Sequence, residues 1–415
     1  MGRTRRRERT DSVRVAALDV QHSHRRSAVV LGPVALPTPD ALVARLLAMA
    51  EAGPQARIGL VPSTAATRWR YSPASLRHAV STTTRSPVSD PVDLLATLRE
   101  CPGEGIRILA AGDYLAIDFS HGLGEVPLLD MVVAVLCGGV DPSDDAVWVP
   151  YRQRVSPLAT AALHAIGLRP QRLIPLWRQH RRNAAAPDSP RPAGRPAFVP
   201  APATRVAHIS AATAETLRRQ RDCALPGVNM FAIYTCALAA AFSAAGFDVD
   251  PKVTAPFDVR RFLPTGSGTL ASFSAGLDFT LDPDTGPRGL QAEMTAAARM
   301  ARPVANLVVG SAKTRAGLRS GRHAESRMPG EPRLRLLHSH IGSVPRQPWS
   351  FSDPTEARIL VASDPAGPCG VTVTSATVEG GLWLTAEFHS TVFDAGKIAA
   401  ALTSVPDQVH RLLSA

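Results

Sequence analysis

Aromatic residues make up only 5% of this 415-residue chain, and no basic run interleaves with them as a base-stacking platform would need. Nucleic acid is therefore not an expected partner, despite a formal net charge of +11. Lysine is almost missing, with Lys252, Lys313 and Lys397 only, so the positive charge is carried by arginine. A coding bias towards Arg, Ala and Pro, as in a high-GC actinobacterial genome, accounts for most of that surplus; the remainder suits an anionic partner. Cysteine is sparse too. Cys101, Cys137, Cys223, Cys236 and Cys369 are odd in number, scattered and never in C-x-x-C spacing, which excludes a disulfide framework and a zinc knuckle and fits a reducing cytoplasm. The pairs His22/His24 and His338/His340 lack an acidic or thiol partner at ligand spacing, so no metal site is expected. The longest apolar candidate for a membrane span, at 230–247, is rich in alanine and reads as a buried helix. The basic start MGRTRRRERTDS leads into no hydrophobic segment, so it reads as a disordered tail over 1–12 and not as a secretory signal.

What is present is a chain long enough for two cores, with 45% apolar residues. Its one clear break is RRNAAAPDSPRPAGRPAFVPAPAT at 181–204, whose prolines suit an extended linker. The expected organisation is an N-terminal lobe over 13–180, the linker at 181–204, and a C-terminal lobe over 205–415. A polar, Gly-rich stretch at 310–333 reads as a second, mobile loop.

In the first half, 37–53 has helical periodicity with Asp40 near its start and Gly53 as a stop, and 106–121 reads as two strands around a Gly112-Asp113 turn. In the second half, helices are expected from Ser210, over 228–246 and from Gly286, strands over 252–264 and 269–283, a hairpin with an EGG turn at 379–381, and a final helix broken near Pro406. Helices and strands mix without regular βαβ alternation, so an α/β class built as two α+β sandwiches is favoured over one doubly wound sheet.

The stretch DYLAIDFSHGLGEVPLLDMV, 113–132, carries the most chemistry. A strand runs into a turn holding His121, Gly122 and Gly124, and an apolar helix follows. This construction fixes an imidazole while keeping its surroundings open. Other catalytic signatures do not occur: there is no G-x-S-x-G elbow, no phosphate loop and no dinucleotide fingerprint.

The stretch resembles the His-His-x-x-x-Asp-Gly motif of the condensation-domain superfamily, which includes chloramphenicol acetyltransferase and the polyketide-associated acyltransferases. His121 matches the second, catalytic histidine; Ser120 replaces the first, Glu125 replaces the aspartate and Val126 the glycine. The segments 255–279, 339–342 and 382–402 resemble further elements of that family in the same order, so the resemblance covers nearly the whole chain from about Val13. Dihydrolipoyl acyltransferases share the fold, but His389 and Asp394 are spaced too far apart for their motif, and His389 reads as a strand-end residue.

The resemblance implies two chloramphenicol acetyltransferase-like lobes with mixed sheets covered by helices and an active site at their interface. It implies a stand-alone monomer that moves an acyl group from a thioester, acyl-CoA or the phosphopantetheine arm of an acidic acyl carrier protein, to a hydroxyl or amine of a small-molecule acceptor in lipid or secondary metabolism. No bound cofactor is implied. His121 would be the general base; Ser120, Gly124 and Glu125 would support the motif, with Arg260 or Arg261 pairing to Glu125; Ser339 and Ser343 are candidates for oxyanion or substrate contact. The alternative is a degenerate member that serves as a carrier-protein or partner docking module.

Overall fold

The computed structural model describes residues 11–83, 91–101, 103, 105–152, 155–176, 178, 197–320 and 330–414. The strands are β1 (Asp11–Arg14), β2 (Arg26–Gly32), β3 (Leu60–Val61), β4 (Arg68–Tyr71), β5 (Val80–Thr83), β6 (Ile106–Ala111), β7 (Tyr114–Ser120), β8 (Pro202–Ile209), β9 (Lys252–Asp258), β10 (Ser274–Thr280), β11 (Arg335–Val344), β12 (Arg358–Ser363), β13 (Gly370–Val378) and β14 (Gly381–His389). They form a five-stranded sheet in the order β12-β2-β7-β6-β5, a six-stranded sheet in the order β10-β9-β11-β13-β14-β8, and a small sheet β1-β4-β3. Both large sheets mix parallel and antiparallel pairs, so the expected pair of mixed sandwiches is what the chain builds.

The first sheet is covered on both faces. Helices α2 (Pro39–Glu51) and α4 (Val126–Leu136) pack Leu42, Leu46, Leu128 and Val132 against Val29, Leu31, Ile117 and Phe119. Helix α3 (Pro91–Glu100) packs Leu94, Leu95 and Leu98 against Ala28, Val30 and Ala116 on the other side. That double cover explains why all seven residues of β7 are buried, as in any central strand with no solvent face. Asp118 tolerates its place there because Arg26 and Arg107 both bind its carboxylate.

The second sheet buries one face under the helices Ala211–Ala224, Met230–Ala244, Ala395–Thr403 and Val405–Ser414. Side chains on its opposite face, among them Leu337, Ser339, Thr372 and Thr374, look towards the first lobe and line the cavity described below.

Four expectations need correction. The basic tail does not reach 12, because Asp11 and Ser12 already pair with Tyr71 and Arg70 in β1, and 1–10 lie outside the described residues. The stretch 310–333 is not a loop throughout: a helix runs over Arg302–Ser320, and 321–329 lie outside the described residues. Val304, Leu307 and Ser311 form its buried face, and this packing overrides the cost of glycine at 310 and 317, about 1 kcal/mol each in a helix. The linker ends earlier than 204, because β8 starts at Pro202 as the edge strand beside β14, where a leading proline removes no needed donor. Finally, β12 belongs to the first sheet although it lies far into the second half, with Arg358 opposite Gly32 and Ser363 opposite Ser27. The linker itself is described only from 197 onward.

Candidate active site at the lobe interface

Strand β7 stops at Ser120 because the chain is caught on both sides of the turn. The Ser120 hydroxyl donates to the Ser23 carbonyl at 3.0 Å, the His121 amide donates to the Arg25 carbonyl at 2.7 Å, and the Leu123 amide returns to the Ser120 carbonyl at 2.8 Å. From outside, Arg57 clamps the turn by donating to the carbonyls of Gly122 (2.9 Å) and Leu123 (2.8 Å) while pairing with buried Asp19 at 2.9 Å. Asp19 sits in α1 (Ala17–His22). Its burial raises its pKa, and the Arg57 charge opposes that rise.

The second lobe closes on the turn through 270–274. A Cβ on Gly124 would stand 2.3 Å from the Leu270 carbonyl oxygen, so only glycine fits there. The Ser272 hydroxyl donates to the His121 carbonyl. Glu125, which precedes α4 as its N-cap residue, sends its carboxylate across the interface. It accepts from the amides of Phe273 (3.1 Å) and Ser274 (3.2 Å), from the Ser274 hydroxyl (2.7 Å) and from Arg260 Nη1 (3.3 Å). Arg260 is held in turn by the carbonyls of Thr269 and Ala271. Substituting Gly124 by alanine is expected to part this contact: the melting temperature falls by several degrees, and restoring the Leu270 side by a second-site loop change, not by any core substitution, recovers it.

The His121 ring stands against a cavity of about 410 Å³ between the lobes, walled by Ser27 on β2, Val126 and Leu129 on α4, Pro256 on β9, Leu307 on the long helix and Thr374 on β13. Its Nδ1 is 2.7 Å from the Ser27 hydroxyl, which fixes the ring and leaves Nε2 for the cavity. Burial, followed by the nearby His22, Arg25 and His24, holds its pKa well below the ordinary histidine value. Burial thus favours the uncharged imidazole, the form in which a ring nitrogen can accept a hydrogen bond or a proton. His22 meets it edge-on, with ring centroids 5.2 Å apart, and burial lowers His22 to about 4. Arg25 also lines the cavity and donates through Nε to the Asp364 carbonyl at 2.9 Å. The cavity shares Thr254, Leu337 and Thr372 with an outer cleft of about 560 Å³ whose lining mixes Lys252, Arg333 and Arg335 with Asp250 and Asp278, Arg333 pairing with Asp248 and Arg335 with Asp250.

Of the residues singled out from sequence, the structure brings together His121, Ser120, Gly124, Glu125, Arg260 and Ser339, the last as part of the cavity wall. Arg261 is not among them. The tight turn over Val259–Phe262 swings it away from Glu125, over the Phe262 ring at 5.9 Å and into a different cavity. Ser343 is exposed and outside the cavity wall, because β11 shifts register between His340 and Ser343. Val126, the most marked departure from the family motif, opens α4 and faces the cavity, so no close backbone approach is lost there. His389 ends β14, accepts from the Ala201 amide and packs on Phe198, as expected of a strand-end residue. Sequence reasoning missed His22, Ser27, Arg57 and Asp19, which reach the turn from segments with no motif of their own.

His338 and His340 lie on the far side of the second sheet. His338 Nδ1 is 2.7 Å from the Thr235 hydroxyl and its Nε2 is 3.0 Å from Ser375, which also contacts His340. Burial lowers His338 from 6.5 to about 3. The unfolded chain therefore binds a proton that the folded chain refuses between these values, so this stabilisation is present above 6.5 and is lost as pH falls through the window. The expected penalty is on the order of a few kcal/mol near pH 4. Thermal melts from pH 7 to pH 4 check it: His338→Leu should flatten the pH dependence, and an unchanged slope would remove His338 as its source.

No protein-family model and no curated protein matches the sequence. Solved structures do match in shape. A trichothecene 15-O-acetyltransferase from Fusarium sporotrichioides superposes with a TM-score of 0.69 at 12% identity, covering 96% of this chain and 94% of that one. The condensation domain of the monacolin K polyketide synthase gives 0.60 at 12% identity over 97% and 98% of the two chains. Polyketide synthase associated protein 5 from Mycobacterium tuberculosis gives 0.54 at 14% identity over 96% and 97%. The chain thus has the fold of the condensation-domain and chloramphenicol acetyltransferase-like proteins. Among the described residues no helix is long and apolar enough to cross a membrane.

Proposed function

We propose that this protein is an acyltransferase in which His121 is the general base. The observation that carries the reading is the His121 imidazole, oriented by Ser27, on the wall of an interlobe cavity. The acceptor hydroxyl or amine gives its proton to His121 Nε2 as its oxygen or nitrogen attacks the thioester carbonyl. Collapse of the tetrahedral intermediate breaks the carbon–sulfur bond, and the imidazolium returns the proton to the leaving thiolate. No acyl-enzyme is needed, because both substrates meet in one cavity and alignment lowers the barrier. Hydroxyls on the wall, Ser339 and Thr374 among them, are the donors we assign to the developing oxyanion.

The donor in this reading is acyl-CoA or an acidic carrier protein bearing a phosphopantetheine arm, reaching the cavity through the outer cleft beside Lys252, and the apolar part of the cavity supports a lipid-like or secondary-metabolite acceptor. The five unpaired cysteines support work in a reducing cytoplasm. The test is thiol release from a panel of acyl-CoA species, with extract of the source cells as acceptor. Release that needs both the extract and His121 is expected. Equal background release by wild type and a folded His121→Ala, with carrier-bound donors as inert as the CoA panel, would overturn the reading in favour of a docking role.

A further inference from the structure

A second cavity, of about 640 Å³ and distinct from the reaction cavity, is lined by Arg169, Arg172, Arg261, Arg299 and His164, with no carboxylate on its wall among the described residues. An open groove beside it shares Thr295 and Arg299 and adds Arg288. Four of these arginines, 169, 261, 288 and 299, are exposed. Their like charges share one surface, which an anionic counterpart complements.

The segment that supplies Arg169 and Arg172 has another property. It consists of a short helix, Pro157–Ala162, a wide helical turn at Leu163–Gly167 and a tight turn at Pro170–Arg172. From it Leu163, Leu168, Leu173 and Ile174 project into solvent, each more than half exposed. Large aliphatic side chains at that density are unusual on a surface this charged. In the sequence no aspartate or glutamate occurs between Asp145 and Asp188, while arginines recur throughout. The segment is well anchored underneath: Ala161 and Ala165 share an apolar cluster with Leu18 and Leu307, two residues that also line the reaction cavity.

Exposed aliphatic tips beside an acid-free ring of arginines are the two attractions that hold a protein on an anionic bilayer, one burying apolar side chains at the headgroup boundary and the other drawn by surface potential. A soluble acidic protein would satisfy the arginines but would need a matching apolar socket for four separate aliphatic tips. We propose that this face docks the protein peripherally on anionic lipid membranes. The inference stands on this surface and does not depend on the acyl-transfer reading.

The test is co-sedimentation of the full chain with phosphatidylglycerol-containing vesicles and with pure phosphatidylcholine vesicles, at low and high salt. Wild type should pellet with the anionic vesicles and stay in solution with the neutral ones. Arg169→Glu combined with Arg299→Glu should weaken partitioning by at least about tenfold. Leu163→Ser combined with Leu168→Ser should remove the binding that persists at high salt. All four positions lie at the surface, and melting curves establish that the variants fold. Failure of wild type to pellet would overturn the proposal. So would wild-type binding by both variants, which would move the contact to the arginine-rich start of the chain. Equal affinity for soluble polyglutamate, unaffected by the leucine changes, would also overturn it and make the face a protein-docking site.

Discussion

Replacing His121 by alanine is expected to lower acyl transfer by roughly 10²–10⁴-fold while leaving the unfolding midpoint nearly unchanged. The two effects separate because the backbone of residue 121, not its side chain, carries the turn: its amide binds the Arg25 carbonyl and its carbonyl accepts from Ser272. Ser27→Ala should give a smaller loss, since the base survives but its orientation does not. The proposed base is held well below the ordinary histidine value by burial, so the acid limb of kcat/KM should lie below pH 6.5, and activity should persist where an exposed histidine would already be protonated. A limb at the ordinary value would place another group in the base's role, and full activity in His121→Ala would remove histidine from the mechanism.

Glu125→Ala should destabilise the fold by about 2–3 kcal/mol by denaturant unfolding. Its carboxylate is the shared acceptor for Arg260, two backbone amides and the Ser274 hydroxyl. Deleting it leaves two inward-facing amides without their acceptor, while Arg260, 13% exposed, keeps Asp258 at 3.0 Å and the carbonyls of Thr269 and Ala271. Glu125→Gln should fall between, because one oxygen still accepts while the new amide group confronts donors. Activity should decline in both variants through loss of lobe closure on His121. An unchanged midpoint and unchanged turnover in Glu125→Gln would dismiss this ion pair as a structural element.

The strand-turn-helix around His121 was legible because local signals agree there: alternation in β7, glycines in the turn and an apolar helix behind it. The pairing of Glu125 with one of two adjacent arginines was legible as a choice, but not which one, because a single tight turn points neighbouring side chains in different directions. Arg260 faces Glu125 and Arg261 faces away. His22 could not have been found from its own neighbourhood. It owes its place beside His121 to the packing of α1 against the turn, and a His-x-His pair carries no information about that. The helix Arg302–Ser320 was hidden by its glycines and its polar outer face; the signal was the spacing of Val304, Leu307 and Ser311, which the composition of the stretch obscured. Ser343 was misplaced by the register shift in β11, which no residue pattern announces.

The position of β12 has a consequence for how the protein is made. Strand β2 receives its outer neighbour only from residues 358–363, so during synthesis the first sheet emerges from the ribosome with one edge open and must wait for most of the second half. An open apolar edge invites pairing with other chains, and contacts this distant in sequence form late. The nascent first lobe is thus expected to be a chaperone client until translation passes β12. A chain released before that strand should aggregate, where one released just after it can close its own edge.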